Sequence, residues 1–87
     1  MTVSLPLQIW TDEYCRTFDR LPHYIQETIE RKVDEMGRRL TQFPHQKLQG
    51  REGFRLRVGD YRVIYRFDLS QGRIILLYVG NRREVYR

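Results

Sequence analysis

The stretch Phe54-Arg55-Leu56-Arg57-Val58-Gly59-Asp60-Tyr61-Arg62-Val63-Ile64-Tyr65 decides the fold of this 87-residue chain. Apolar and polar residues alternate before and after Gly59-Asp60, which predicts two β-strands joined by a two-residue turn. In that register one buried face holds three pairs: Val58 with Tyr61, Leu56 with Val63, and Phe54 with Tyr65.

Arginines occupy the opposite face of the predicted hairpin. Arg57 falls directly across from Arg62, and Arg55 lies one pair further along the strand. Like charges that face each other across a ladder destabilise it. The pattern therefore indicates that this face binds an anionic group.

The positive charge of the chain lies in its second part. Residues 1–50 carry seven basic and seven acidic side chains, whereas residues 51–87 carry nine arginines, no lysine and four acidic residues. The formal net charge is +5 and the isoelectric point is near 9.8. This balance predicts a polyanion or an acidic protein as partner. Arginine suits phosphate because its planar fork donates two parallel hydrogen bonds.

Length and composition indicate one domain that spans residues 1–87. No apolar run approaches the ~20 residues of a membrane span, and the first residues lack the features of a signal peptide. Cys15 is the single cysteine, which excludes an internal disulfide and fits a cytoplasmic location. We therefore expect a cytoplasmic protein without membrane contact.

The order of predicted elements defines an α+β fold. Residues 5–10 alternate as a short strand, and Thr11 is placed to cap a first helix. Pro22 separates it from a second helix, whose apolar stripe is Ile25, Ile29, Val33, Met36 and Leu40. Residues 41–53 are expected to form a loop, with His45 at the surface. Residues 73–80 are apolar on both faces, which predicts a central strand. The result is an N-terminal strand, two helices and a three-strand antiparallel meander in a mostly antiparallel sheet.

The sequence contains no recognisable metal or cofactor motif. There is no Cys/His cluster for zinc, no P-loop and no dinucleotide fingerprint. We therefore expect neither a metal nor a small-molecule cofactor. Arginine and tyrosine without metal suit RNA cleavage by the RNA's own 2′-hydroxyl, because the substrate supplies the nucleophile and the protein neutralises the developing charge.

Three motifs together resemble the RelE toxins of bacterial type II toxin–antitoxin systems. They are Leu48-x-Gly50, the hairpin 54–65, and the C-terminal run 79–87, Val-Gly-Asn-Arg-Arg-Glu-Val-Tyr-Arg. The resemblance covers nearly the whole chain and implies the small RelE-like fold. It also implies a ribosome-dependent endoribonuclease that cleaves messenger RNA, inhibits translation and is silenced by a cognate antitoxin protein.

The resemblance also implies roles for individual residues. The catalytic set that it implies is Arg57, Arg62, Arg82 and Tyr86. The first three would grip the scissile phosphate, and Tyr86 would stack on a base or transfer a proton. The RNA-binding set that it implies is Arg55, Arg66, Arg83 and Arg87.

The chain departs from the family pattern at several of these positions. Arg55 and Arg57 stand where the best-known relatives often have lysine. Asn81 stands where many have histidine or lysine, and Gln46 where some have a catalytic glutamate. Two alternatives therefore remain. One is a ParE-like toxin that inhibits gyrase, and the other is a weakened toxin that serves as a subunit of an antitoxin-bound DNA-binding complex.

Overall fold

The computed structural model describes residues 5–85, with side chains as far as Arg83. The elements in chain order are β1 (Leu7–Trp10), α1 (Asp12–Asp19), α2 (His23–Arg38), β2 (Gln46–Lys47), β3 (Phe54–Val58), β4 (Tyr61–Asp68), β5 (Arg73–Asn81) and α3 (Arg82–Val85). The five strands form one sheet in the order β1-β5-β4-β3-β2, in which only β1 and β5 are parallel. The predicted α+β class and the meander β3-β4-β5 are confirmed. None of the described helices combines the length and the apolar character needed to cross a membrane.

Three details differ from the sequence prediction. Strand β2 lies inside the predicted loop, where two polar residues pair with Phe54 and Arg55 of β3. Helix α3 occupies the start of the tail that follows β5, where no element was predicted. Both elements are too short for hydrophobic periodicity to reveal them. Helix α2 ends at Arg38, so Leu40 is buried from beyond the helix rather than within its stripe.

The hairpin β3–β4 has the predicted register. Val58 pairs with Tyr61 across the turn, and Arg57 lies opposite Arg62. Gly59 adopts φ +58°, a left-handed backbone conformation that glycine reaches without the steric cost of a Cβ atom. The two-residue turn predicted from Gly59-Asp60 is therefore confirmed.

The core lies between the two long helices and one face of the sheet. The largest fully buried side chains come from both layers: Tyr14, Ile29, Val33 and Met36 from the helices, and Val63, Tyr65, Ile74, Leu76 and Val79 from β4 and β5. β5 pairs with a strand on each side, which confirms its predicted interior position. The helices leave the other face of the sheet, here called the outer face, uncovered.

A register shift between β4 and β5 changes what the outer face presents. Ile64 pairs with Tyr78 and Tyr65 with Leu76, so Leu77 is an extra residue. A bulge of this kind bends a strand and re-aims its side chains. Leu77 and Tyr78 pack with Ile64 and with Leu48 from the loop before β3. The outer face is therefore part arginine and part apolar, rather than uniformly basic.

Helix α1 continues the edge of the sheet where β1 stops. The β1–β5 pairing ends at Trp10 and Leu76, whereas β5 runs on to Asn81. The hydroxyl of Thr17 accepts a hydrogen bond from the Val79 N–H at 3.3 Å. The C-terminal end of α1 is thereby fixed beside the last residues of β5.

A polar pair lies at the far end of the core. The Nδ1 atom of His45 is 2.5 Å from the Tyr65 hydroxyl, and its Nε2 atom is 2.7 Å from the Leu40 carbonyl. The carbonyl only accepts, so Nε2 carries a hydrogen, and in the neutral ring Nδ1 accepts from the Tyr65 hydroxyl. Burial raises the pKa of Tyr65, which keeps its hydroxyl protonated as a donor. The ring of His45 also stacks on Phe67, so this histidine is half-buried against the core rather than fully at the surface.

We expect the substitution Tyr65→Phe to lower the free energy of unfolding by about 1–3 kcal/mol, because Nδ1 of His45 loses its hydrogen bond to the fully buried Tyr65. Urea denaturation followed by circular dichroism measures the change. Tyr24→Phe is the matched control, since Tyr24 is 69% exposed and has no such partner to lose. Equal midpoints for the two variants would contradict the assigned hydrogen bond.

Candidate nucleic-acid interface

Three predicted site residues, Arg57, Arg62 and Arg82, lie at the turn end of the sheet. Arg57, Arg62 and Gly80 form one row across β3, β4 and β5. Adjacent strands lie ~4.8 Å apart, so this row spans about 10 Å. Arg82 follows Gly80 by two residues, and its N–H donates to the Asp60 carbonyl at 2.8 Å. The hairpin turn and the start of the tail are therefore one structural unit.

Arg62 is buried at the centre of this unit. Only 4% of its surface is exposed. Its Nη1 atom donates to the carbonyls of Gly59 at 2.9 Å and Tyr61 at 2.8 Å. These two carbonyls flank Asp60, whose own carbonyl holds Arg82. The guanidinium thus fixes the conformation of the turn while placing a positive charge beneath the surface.

Arg57, Arg82 and Arg83 are exposed around the same turn. None of the three lies within 4.0 Å of a carboxylate among the described side chains. Asn81 accepts a hydrogen bond from the Arg83 N–H at 3.1 Å through Oδ1. An Asn at this position caps the first turn of a helix, so Asn81 orients the residues of α3.

The two remaining described arginines of the predicted set have neighbours on the outer face. Arg55 donates from Nε to Oε1 of Gln46 at 3.2 Å. The Arg66 guanidinium lies 3.5 Å from the carboxylate of Glu52, and both side chains are more than half exposed. Such exposed pairs contribute ~0–1 kcal/mol and are screened by salt, so Arg66 remains accessible to a phosphate. Tyr86 and Arg87 lie outside the described residues.

A cleft of about 700 Å³ opens beside Arg82. Its walls come from the end of α1, the residues before α2, the β3–β4 turn and the last residues of β5. Among the residues that line it are Arg20, Tyr61, Tyr78, Arg82 and Arg83. Sequence reasoning did not single out Arg20, because only the packing of α1 against β5 brings it to this end of the molecule.

Few groups near the cleft could transfer a proton. Asp60 is the one carboxylate among the described residues that line it. His45 packs against the core at the opposite end of the hairpin, and Nε2 of the exposed His23 lies 2.9 Å from the Glu27 carboxylate. Within the described part of the chain, no three His, Cys, Asp or Glu side chains are grouped as a metal site. Arginine and tyrosine therefore dominate the chemistry of the cleft.

Comparison with known families identifies the chain. The family model described as the ParE toxin of the type II toxin–antitoxin system parDE matches residues 9–86. The chain belongs to this toxin family, within the RelE/ParE superfamily. The predicted membership of that superfamily is thereby confirmed. No curated protein sequence matches the toxin significantly.

Solved structures of RelE proteins share the fold of this toxin. The toxin–antitoxin complex RelBE2 from Mycobacterium tuberculosis aligns with a TM-score of 0.77 and 22% identity, over 92% of this chain and 94% of the other. The archaeal RelE–RelB complex from Pyrococcus horikoshii OT3 gives a TM-score of 0.74 and 22% identity, over 91% and 97%. A mutant of Escherichia coli RelE in the free state gives 0.72 and 19%, over 95% and 92%. These similarities confirm the predicted RelE-like fold.

Proposed function

We propose that this toxin is a ribosome-dependent endoribonuclease that cleaves messenger RNA without a metal ion and so inhibits translation. The observation that carries the proposal is that Arg57 and Arg82 are both exposed at the turn end of the sheet, with no described carboxylate within 4.0 Å of either. Two exposed guanidinium groups at one end of a sheet form a site for a phosphate diester. The buried charge of Arg62 lies between them.

The proposed reaction uses the 2′-hydroxyl of the RNA. Its oxygen attacks the adjacent phosphorus, the bond to the 5′-oxygen breaks, and the products are a 2′,3′-cyclic phosphate and a 5′-hydroxyl. Arg57 and Arg82 bind the phosphate oxygens and stabilise the negative charge that grows in the transition state. Arg62 positions the turn that carries Arg82. Tyr86 transfers a proton or stacks on a base, and Arg55, Arg66, Arg83 and Arg87 contact the neighbouring backbone.

We also propose a cognate antitoxin as partner and the ribosome with its messenger RNA as the site of action. Several structures that share the fold are complexes of RelE with RelB. The excess of arginine in residues 51–87 favours a partner segment that carries acidic side chains. We expect the two proteins to bind each other and the antitoxin to suppress toxicity.

The test is cell-free translation with added toxin, followed by mapping of the RNA ends. We expect cuts in translated messages that leave cyclic phosphate and 5′-hydroxyl ends, no cuts in the same RNA without ribosomes, and full protection by the antitoxin. Intact messages at toxin concentrations that stop growth would contradict the proposal.

Gyrase inhibition is the second candidate, because the matching family model is that of the ParE toxins. DNA supercoiling by gyrase, assayed with the same protein preparation, separates the two functions. If the protein inhibits supercoiling and leaves translation normal, the result contradicts the ribonuclease proposal and supports gyrase inhibition. A toxin that is harmless in both assays and in cells without antitoxin would instead favour the weakened subunit of a DNA-binding complex.

A further inference from the structure

The cleft beside Arg82 continues past the hairpin turn into a second concavity. This smaller groove, of about 280 Å³, lies between the start of α2 and the turn. Asp60, Tyr61 and Asn81 line both spaces. The two are therefore contiguous, and we call them together the turn groove.

The turn groove carries unpaired positive charge. The guanidinium groups of Arg20, Arg82 and Arg83 line it, and none has a carboxylate within 4.0 Å among the described side chains. Asp60 is the single acidic residue of its described lining. Helix α1 ends and α2 begins at this place, so their opposed dipoles largely offset each other. The arginines consequently set the sign of the potential.

Aromatic side chains line the turn groove along its length. Tyr78 lies in the larger part, Tyr61 lines both parts, and Tyr24 lies in the smaller part. Tyr24 is 69% exposed, although it occupies the first turn of a helix whose other face is well packed. An exposed ring next to a basic cleft is the arrangement that binds single-stranded nucleic acid, because bases stack on the rings while the phosphates follow the arginines.

We propose that the turn groove binds the single-stranded RNA that flanks the scissile phosphate, with Arg20 contacting a backbone phosphate and Tyr24 stacking on a base. This inference rests on the proposed ribonuclease function and extends it to two residues of the helical layer. It gives the RNA a path around the hairpin turn, from the arginine row of the outer face to the start of α2.

The test measures binding of a fluorescent 2′-O-methyl RNA decamer at a series of salt concentrations; this RNA lacks the nucleophile and stays intact. We expect Tyr24→Ala to weaken binding about 5-fold or more, whereas Tyr24→Phe keeps the ring and the affinity.

Arg20→Ala is expected to make the plot of the logarithm of the RNA association constant against the logarithm of the salt concentration less steep by ~0.7, the value of one phosphate contact on a single strand. Arg16→Ala is the control for Arg20, because Arg16 is an exposed arginine on α1, four residues before Arg20, and lines neither part of the groove.

The outcomes separate this inference from the proposed function. One outcome would overturn only the RNA-binding role proposed for Arg20 and Tyr24. In that outcome Tyr24→Ala and Arg20→Ala bind RNA with wild-type affinity and salt slope, whereas Arg82→Ala binds it more weakly. Absence of RNA binding and RNA cleavage by the wild-type toxin would overturn both proposals. If the two variants weaken binding of a poly-glutamate peptide but not of RNA, the groove serves a protein partner and the inference is wrong.

Discussion

Replacing Arg82 with alanine is expected to lower the rate of RNA cleavage by about 10²–10³-fold, the usual effect of removing one donor that stabilises a developing oxyanion. The side chain is exposed and has no described ion pair, so its removal costs the fold little. The hydrogen bond to Asp60 comes from the backbone N–H and is retained in the variant. Cleavage rate on programmed ribosomes is the measurement, with circular dichroism to verify the fold.

Two further variants sharpen this prediction. Arg82→Lys keeps the charge but loses the planar fork, and we expect it to retain an intermediate rate. Arg31→Ala is the control, because Arg31 is exposed on α2 and lines neither part of the turn groove. Full cleavage and full growth inhibition by Arg82→Ala would remove Arg82 from the proposed site.

The second large effect is expected for Arg62→Met, which keeps the apolar stem but removes the charged donors. The carbonyls of Gly59 and Tyr61 lose their hydrogen bonds to Nη1. A hydrogen bond that involves a charged group contributes ~1.5–3 kcal/mol, and relief of the repulsion from Arg57 offsets part of that loss. The turn is then free to move Arg82. Since a displacement of ~1 Å in a catalytic site can cost about 10²-fold, we expect a loss of that size in cleavage.

A spectroscopic measurement distinguishes positioning from a purely structural role. The amide resonances of Asp60 and Arg82 should shift in Arg62→Met, because their mutual hydrogen bond changes geometry. Arg66→Met is the matched control for the two resonances, since Arg66 lies on the same strand with its guanidinium exposed and away from the turn. Unchanged resonances together with lost cleavage would show that Arg62 acts on the RNA directly, and unchanged cleavage would contradict both roles.

Arg57 and Arg62 show which features of the site the sequence pattern predicts and which it does not. Period-two alternation places both residues on the outer face and opposite each other, and the structure confirms that register. Alternation predicts the face of the strand from which a side chain projects, but it does not predict which groups the end of a long side chain contacts. Arg62 folds back onto the turn because two carbonyls there need donors. Arg57 has no such acceptor among the described residues and remains exposed.

The positions of His45 and Arg20 likewise depend on contacts that the local sequence does not reveal. A histidine after proline in a loop predicts exposure, yet the Tyr65 hydroxyl and the Leu40 carbonyl give both of its nitrogens partners within the core. Arg20 follows a helix with no motif around it, and it lines the same cleft as Arg82 because α1 packs against β5, where Thr17 is hydrogen-bonded to Val79. The His45–Tyr65 and Thr17–Val79 contacts join residues about 20 and about 60 positions apart, so no short stretch of sequence predicts them.

The amino-acid sequence alone determined the hairpin, its register, the α+β order of elements and the basic character of the second part of the chain. These follow from the alternation of residues 54–65, the helical stripe that begins at Ile25, and the count of arginines, all of which act through neighbours in the chain. The tertiary structure decided which charges are buried, where the β4–β5 bulge falls, and that Arg20, Tyr24 and Arg82 line one groove. Those features arise when separate elements compete for the same space and the same hydrogen-bond partners, which a local pattern does not record.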